Sequence, residues 1–132
     1  MGRNNFTAEQ TAALNAEGRA IVSASAGSGK TTVMIEKIVR LILNGADVSE
    51  ILAVTFTKKA AQQMKDKLKS ALVKAINAED TKSEDLPRLK KQLAAAQNAE
   101  FSTIHAFCAK LIRTHFYAAG TSGDFSIVAA DD

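Results

Sequence analysis

Nine residues, Ala24-Ser25-Ala26-Gly27-Ser28-Gly29-Lys30-Thr31-Thr32, have the types and spacing needed to grip a polyphosphate. Gly27 and Gly29 have no Cβ, so the chain can curl there with its N–H groups turned inward as an anion nest. A helix beginning at Lys30 adds its own free N–H groups and the positive end of its dipole. Lys30 can then reach β- and γ-phosphates, and the Thr31 hydroxyl can ligate Mg²⁺. The pattern G-x-x-x-x-G-K-[ST] has Ala24 at its first glycine position, which alanine tolerates only at negative φ. A small-residue loop that holds no nucleotide is the alternative.

The elements that must position this loop are legible around it. Ala20-Ile21-Val22 reads as a strand leading in, and Lys30 to Asn44 as a helix leading out, with Val33, Ile35, Ile38, Val39 and Ile42 on one face. Gly45 stands where a left-handed C-cap belongs. Ile51 to Phe56 is a continuous β-rich run, expected as a parallel strand buried on both faces. Strand, helix and strand then make a right-handed βαβ unit. Ahead of the loop, Phe6 opens a helix that runs to about Glu17 and stops at Gly18. Thr7 and Gln10 fit a capping box. Gln10 therefore has two readings, a cap residue or an amide that reads an adenine edge.

Beyond Phe56, Thr57 can cap a helix from Lys58 to about Asn77, with Ala61, Met64, Leu68, Leu72 and Ile76 facing inward. Its lysines (58, 59, 65, 67, 69 and 74) make it basic, mostly as a solvated face. Residues 79–85 form a polar connection, and Pro87 suits the first turn of a helix from Leu86 to about Gln97. Phe101 to Ile104 reads as a third parallel strand. His105 to about Tyr117 reads as a helix with Phe107, Leu111, Ile112 and Phe116 inward, ended by Gly120. Ile127-Val128-Ala129-Ala130-Asp131-Asp132 imitates a Walker B strand, four small or apolar residues and then acid.

The 132 residues leave room for one domain, with 46% hydrophobic and 23% charged residues as in globular proteins. Cys108 is the lone cysteine, which excludes a disulfide framework, suits a cytoplasmic protein and reads as a small core residue. No apolar run is long enough to span a membrane, and the N-terminus has no signal-peptide core. Phe6 stands where a myristoylation signal needs Ser or Thr. A net charge of +3 and a pI of about 9.1 lean towards nucleic acid.

Four stretches in order resemble the signature of the UvrD-like superfamily 1 DNA helicases. Phe6-Thr-Ala-Glu-Gln10 is similar to their Q motif, and Ala24 to Thr31 to their motif I, which often carries Ala or Gly first. Ala53-Val-Thr-Phe-Thr-Lys-Lys-Ala-Ala61, followed by Met64, resembles motif Ia. Ser102-Thr-Ile-His-Ala-Phe-Cys108, followed by Leu111-Ile112-Arg113, resembles motif Ic. The charged insert between Ia and Ic, with the Phe125-Ser-Ile127 ending, most resembles the A subunit of AddAB-type helicase–nucleases.

The resemblance implies an α/β fold, part of a P-loop (RecA-like) domain with parallel strands and flanking helices. Residues 1–132 would be the N-terminal part of the first such domain of an ATP-dependent DNA helicase–nuclease that processes double-strand breaks for recombinational repair. ATP and Mg²⁺ would be the cofactors. Gln10 would take adenine; Ala24, Ser25, Ala26, Gly27, Ser28, Gly29, Lys30, Thr31 and Thr32 the phosphates; and Thr31 the Mg²⁺. Thr55, Phe56, Thr57 and Lys58, with Ser102, Thr103 and His105, would line a track for DNA. Lys58 stands where many relatives have Asn, a departure from any specific amide contact there, though a lysine would still suit a phosphate. Read without the resemblance, Phe56 is a core aromatic and His105 a packing or capping residue of a helix start. The implied partners are single- and double-stranded DNA and a second nuclease or helicase subunit; the implied location is the cytoplasm. The Walker B strand, arginine finger, second RecA-like domain and nuclease would lie beyond Asp132, leaving these residues alone unable to hydrolyse ATP. A self-contained small P-loop NTPase or kinase, with Asp131 or Asp132 as a true Walker B acid, is one alternative. A non-catalytic nucleotide- or DNA-binding module is another.

Overall fold

Residues 5–126 are described by a computed structural model. Their sheet has two strands, β1 (Leu52–Thr55) and β2 (Glu100–Thr103), paired parallel with Leu52 opposite Glu100 and Thr55 opposite Thr103. Helices α1 (Ala8–Asn15) and α2 (Lys30–Leu43) precede β1; α3 (Lys58–Ile76) and α4 (Leu86–Ala95) connect β1 to β2. Helices α5 (Ile104–Thr114) and the single turn α6 (Phe116–Ala119) follow. A parallel pair needs a long crossover, and here α3 and α4 provide it.

The core lies between α2, α3, α4 and one face of the sheet. Ile35, Ile38, Val39 and Ile42 of α2 meet Met64, Leu68 and Leu72 of α3, Leu89 of α4, and Ala53 and Phe101 of the strands. Ile42, Leu68, Leu72 and Leu89 are fully enclosed. Such side chains each stabilise a fold by about 1.5–3 kcal/mol through lost apolar exposure. The helical periodicity of α2 and α3 therefore predicted the packing faces correctly, Val33 and Ile76 being half-buried at their ends.

Polar side chains join the helix ends. Lys37 on α2 donates to the Leu14 carbonyl at 3.0 Å and also to that of Ala16, so it closes the C-terminus of α1. Arg88 on α4 does the same for α2, donating to Ile42 at 2.5 Å and Leu43 at 3.0 Å. Buried Gln92 accepts from the Val48 N–H at 2.7 Å and donates to Asp47 at 2.9 Å. These bonds fasten the charged insert to the turn ahead of β1. The Ser49 N–H, the Gln92 amide and the Ser49 hydroxyl, all donating to Asp47, lower its pKa to about 2.

Several expectations are corrected. Residues 20–25 form no strand, so the sheet has two strands where three were expected, and the expected βαβ unit through α2 is not made. A strand needs a ladder partner, and none of the described residues pairs with this segment; Ile21 is 98% exposed. β1 is buried on one face: Ala53 packs into the core with α2, α3 and α4, while Leu52 and Val54 are exposed among the described residues. α1 ends at Asn15, ahead of Glu17, and Gly18 takes a positive φ in the turn beyond. β2 starts at Glu100, and Ile104 belongs to the following helix because the Thr103 hydroxyl accepts the Ala106 N–H and starts the helix there. The last helix breaks at His115, giving α5 and α6. Its expected inner face is not a core face: Ala109 is buried, Phe107, Ile112 and Phe116 are half-buried, and Leu111 and Cys108 are exposed. The Walker B-like residues 127–132 lie outside the described residues.

Candidate nucleotide loop and basic edge

The glycine-bearing loop has the backbone that its sequence requires. Gly27 and Gly29 have φ of 78° and 81°, where a side chain would be strained. No described residue other than glycine has positive φ, so alanine at position 24 is accommodated. A turn closes through the Ser28 N–H to the Ser25 carbonyl at 3.3 Å, and α2 starts directly after Gly29. Among the described residues no acceptor is paired with the N–H groups of Gly29, Lys30, Thr31 or Thr32. That row of donors at the start of a 14-residue helix suits an anion.

Lys30 is exposed, and its ammonium donates to the Ala24 carbonyl at 2.6 Å and the Ser25 carbonyl at 2.9 Å. Its charge thus spans the mouth of the loop. Thr31 is half-buried and Thr32 exposed on the first turn of α2. Ser28 Oγ is, among the described residues, the one buried side-chain polar atom without a partner. An open row of amides, a lysine held by two exchangeable carbonyls and a hydroxyl one residue on fit a Mg²⁺–nucleoside polyphosphate.

Gln10 fulfils its capping reading and adds a contact across the chain. Its side-chain oxygen accepts the Thr7 N–H at 3.0 Å while the Thr7 hydroxyl accepts the Gln10 N–H at 3.2 Å. The amide nitrogen donates to the Ser28 carbonyl at 3.0 Å. Of the two readings offered by the sequence, the cap is realised, and the side chain also lies against the loop.

The second group sits at the C-terminal edge of the sheet. Thr55 and Thr103 are register partners, so the residues after them emerge side by side. Thr57 caps α3 through its hydroxyl and the Ala60 N–H at 3.1 Å, and Thr55 Oγ1 donates to the Thr57 carbonyl at 2.9 Å. Phe56 is 94% exposed, which removes the core-aromatic reading. His105 is exposed on α5; Thr103, not His105, caps that helix. Lys58, Ser102 and Thr103 line a groove of about 230 Å³ with Ala61, Gln62, Lys65, Phe101 and Ala106. Gln62 was not singled out from the sequence, and Lys65 was read there only as part of a solvated basic face. Their spacing from Lys58, four and seven residues on, puts all three on one helix face and could have found them. The loop group and the edge group share no hydrogen bond among the described residues.

Comparison with known proteins identifies the family. The UvrD/REP helicase N-terminal domain family matches residues 6–132. The chain is 43% identical over 129 residues to the A subunit of an ATP-dependent helicase/nuclease from Pediococcus pentosaceus, covering 97% of the chain and 10% of the relative. Similar proteins of the same name from Lactobacillus acidophilus and Lactobacillus helveticus are each 44% identical over 93% and 96% of the chain, again across 10% of their own length. The chain thus spans about a tenth of the length of the curated relatives it matches.

Proposed function

Because the chain belongs to the UvrD/REP helicase N-terminal domain family, we propose that it is the nucleotide-gripping part of an ATP-driven DNA helicase–nuclease. In this reading it is part of a P-loop, RecA-like domain, and the whole protein processes double-strand breaks for recombinational repair beside a partner subunit in the cytoplasm. The observation that carries the reading is the loop ahead of α2, with open amides from Gly29 to Thr32 and the Lys30 ammonium across its mouth.

Bound Mg²⁺–ATP would supply the free energy for translocation. Ala24 to Gly29 would wrap its phosphates, with the glycine amides facing them. Lys30 would exchange the Ala24 and Ser25 carbonyls for β- and γ-phosphate oxygens, keeping its charge-assisted bonds throughout. The Thr31 hydroxyl would hold Mg²⁺, Thr32 would stay beside it on the first turn, and Gln10 would face the adenine edge.

Thr55, Phe56, Thr57 and Lys58, with Ser102, Thr103 and His105, would form the DNA-facing edge. A motor must hold DNA without reading its sequence, through phosphate contacts and stacking. An exposed ring at position 56 and the lysine-bearing groove behind it provide both kinds of group. The test is titration of the purified chain with Mg²⁺–ATP and with fluorescent oligo(dT). Saturable binding of both, the first lost in Lys30→Ala and the second in Phe56→Ala, is expected. Absence of nucleotide binding would overturn the reading.

A further inference from the structure

We infer that Gln10 is a positioning residue for the phosphate loop itself, independent of any contact with a base. One amide side chain makes two bonds in opposite directions: its oxygen closes the α1 capping box on the Thr7 N–H, and its nitrogen holds the Ser28 carbonyl. The Ser28–Gly29 peptide is planar and trans, so its C=O and N–H point to opposite sides. Pinning the carbonyl towards α1 therefore aims the Gly29 N–H away from α1, and that N–H is the first of the four open donors.

The rest of the loop gives this bond its leverage. Residues 20–25 lie in no ladder, and residues 20–27 are exposed. Among the described residues, Gln10 is the hydrogen-bonding side chain that reaches residues 24–29 from outside the loop and α2. Gln10 is itself anchored twice. The capping box fixes its rotamer, and Lys37 fastens the far end of α1 to α2 through the Leu14 and Ala16 carbonyls. α1 thus works as a strut between the loop and the second turn of α2. The fit is close: a Cβ at residue 29 would lie 3.2 Å from the Gln10 amide nitrogen, at a φ of 81°. Glycine there serves both the backbone turn and the approach of this amide.

The inference takes its ligand from the nucleotide-binding reading; its geometry stands without it. Two variants separate the tether from the cap. Gln10→Met and Thr7→Ala each lose one bond of the capping box, but only Gln10→Met loses the bond to Ser28. In the ligand-free chain, ¹⁵N relaxation is expected to give lower order parameters at Gly27 and Gly29 in Gln10→Met and values like the original in Thr7→Ala. Magnesium tripolyphosphate, which has no base, is expected to bind about three- to tenfold more weakly to Gln10→Met and unchanged to Thr7→Ala, the loss of one hydrogen bond. Should Gln10→Met not fold, Gln10→Glu keeps the capping acceptor, turns an oxygen on the Ser28 carbonyl, and is read by the same order parameters. Unchanged order parameters in the tether-deficient variant overturn the inference. So does a loss confined to ATP with tripolyphosphate affinity intact, since Gln10 would then act on the base alone. If the original chain binds neither ligand, the nucleotide reading fails, and the order parameters still decide the tether.

Discussion

The Lys30 ammonium donates to the Ala24 carbonyl oxygen at 2.6 Å. The residue that replaces the first glycine of the loop pattern thus contributes through its backbone, and its methyl group is irrelevant to that contact. A lysine held in this way keeps its charge at the loop mouth and satisfied, ready to trade neutral acceptors for anionic ones.

Lys30→Ala is expected to weaken Mg²⁺–ATP binding by tenfold to about a hundredfold, from charge-assisted bonds of about 1.5–3 kcal/mol. Thermal stability should be nearly unchanged, because the side chain is exposed and packs on no core residue. Isothermal titration and a melting curve check the two halves. Undiminished affinity would sink the phosphate assignment.

Phe56→Ala should leave the melting temperature within a degree or two, since a ring exposed at 94% supports no packing. Oligo(dT) affinity, read by fluorescence anisotropy, should fall by about fivefold to 150-fold if stacking contributes about 1–3 kcal/mol. A stability loss without a DNA defect would return the ring to the core.

Gln92→Leu tests the fastening of the insert. It strips the buried Val48 N–H of its acceptor and the half-buried Asp47 of a donor. A cost of about 1–3 kcal/mol is expected. Chemical denaturation should show a lowered midpoint at constant slope, and an unmoved midpoint would deny the network a role.

Asp47 gives a signed pH dependence. Its folded pKa, about 2, lies below the ordinary 3.8, so its contribution to stability is full above the ordinary value and is lost as pH falls through the folded one. Melting temperature should therefore drop between about pH 4 and pH 2. The drop should be smaller in Asp47→Asn, which does not titrate there. Equal drops would assign the acid sensitivity elsewhere.

Phosphate release by the isolated chain is expected to stay at background, with or without single-stranded DNA. An arginine finger is worth about 10³–10⁵ in rate, and the resemblance puts that residue in a second domain. DNA-stimulated turnover that disappears in Asp131→Asn or Asp132→Asn would favour a self-contained NTPase.

What the sequence determined by itself was local. Gly27 and Gly29, the Thr7–Gln10 capping box, the Thr57 cap and the inward faces of α2 and α3 all follow from neighbours within about one helical turn. There, backbone sterics, capping and periodicity act without the rest of the molecule. Tertiary structure decided the rest, because those outcomes depend on what lies opposite. Ala20-Ile21-Val22 has the composition of a strand and no ladder partner among the described residues, so it stays out of the sheet. Leu52 and Val54 have the composition of a doubly buried strand, yet among the described residues they are exposed while Ala53 between them is buried. Cys108, Leu111 and Phe56 have apolar side chains and are exposed among the described residues. The bond from Gln10 to Ser28 joins residues 18 apart, and the groove behind Lys58 needs the parallel register of Thr55 with Thr103. Pairing and burial are properties of two surfaces, and a sequence pattern describes only one of them.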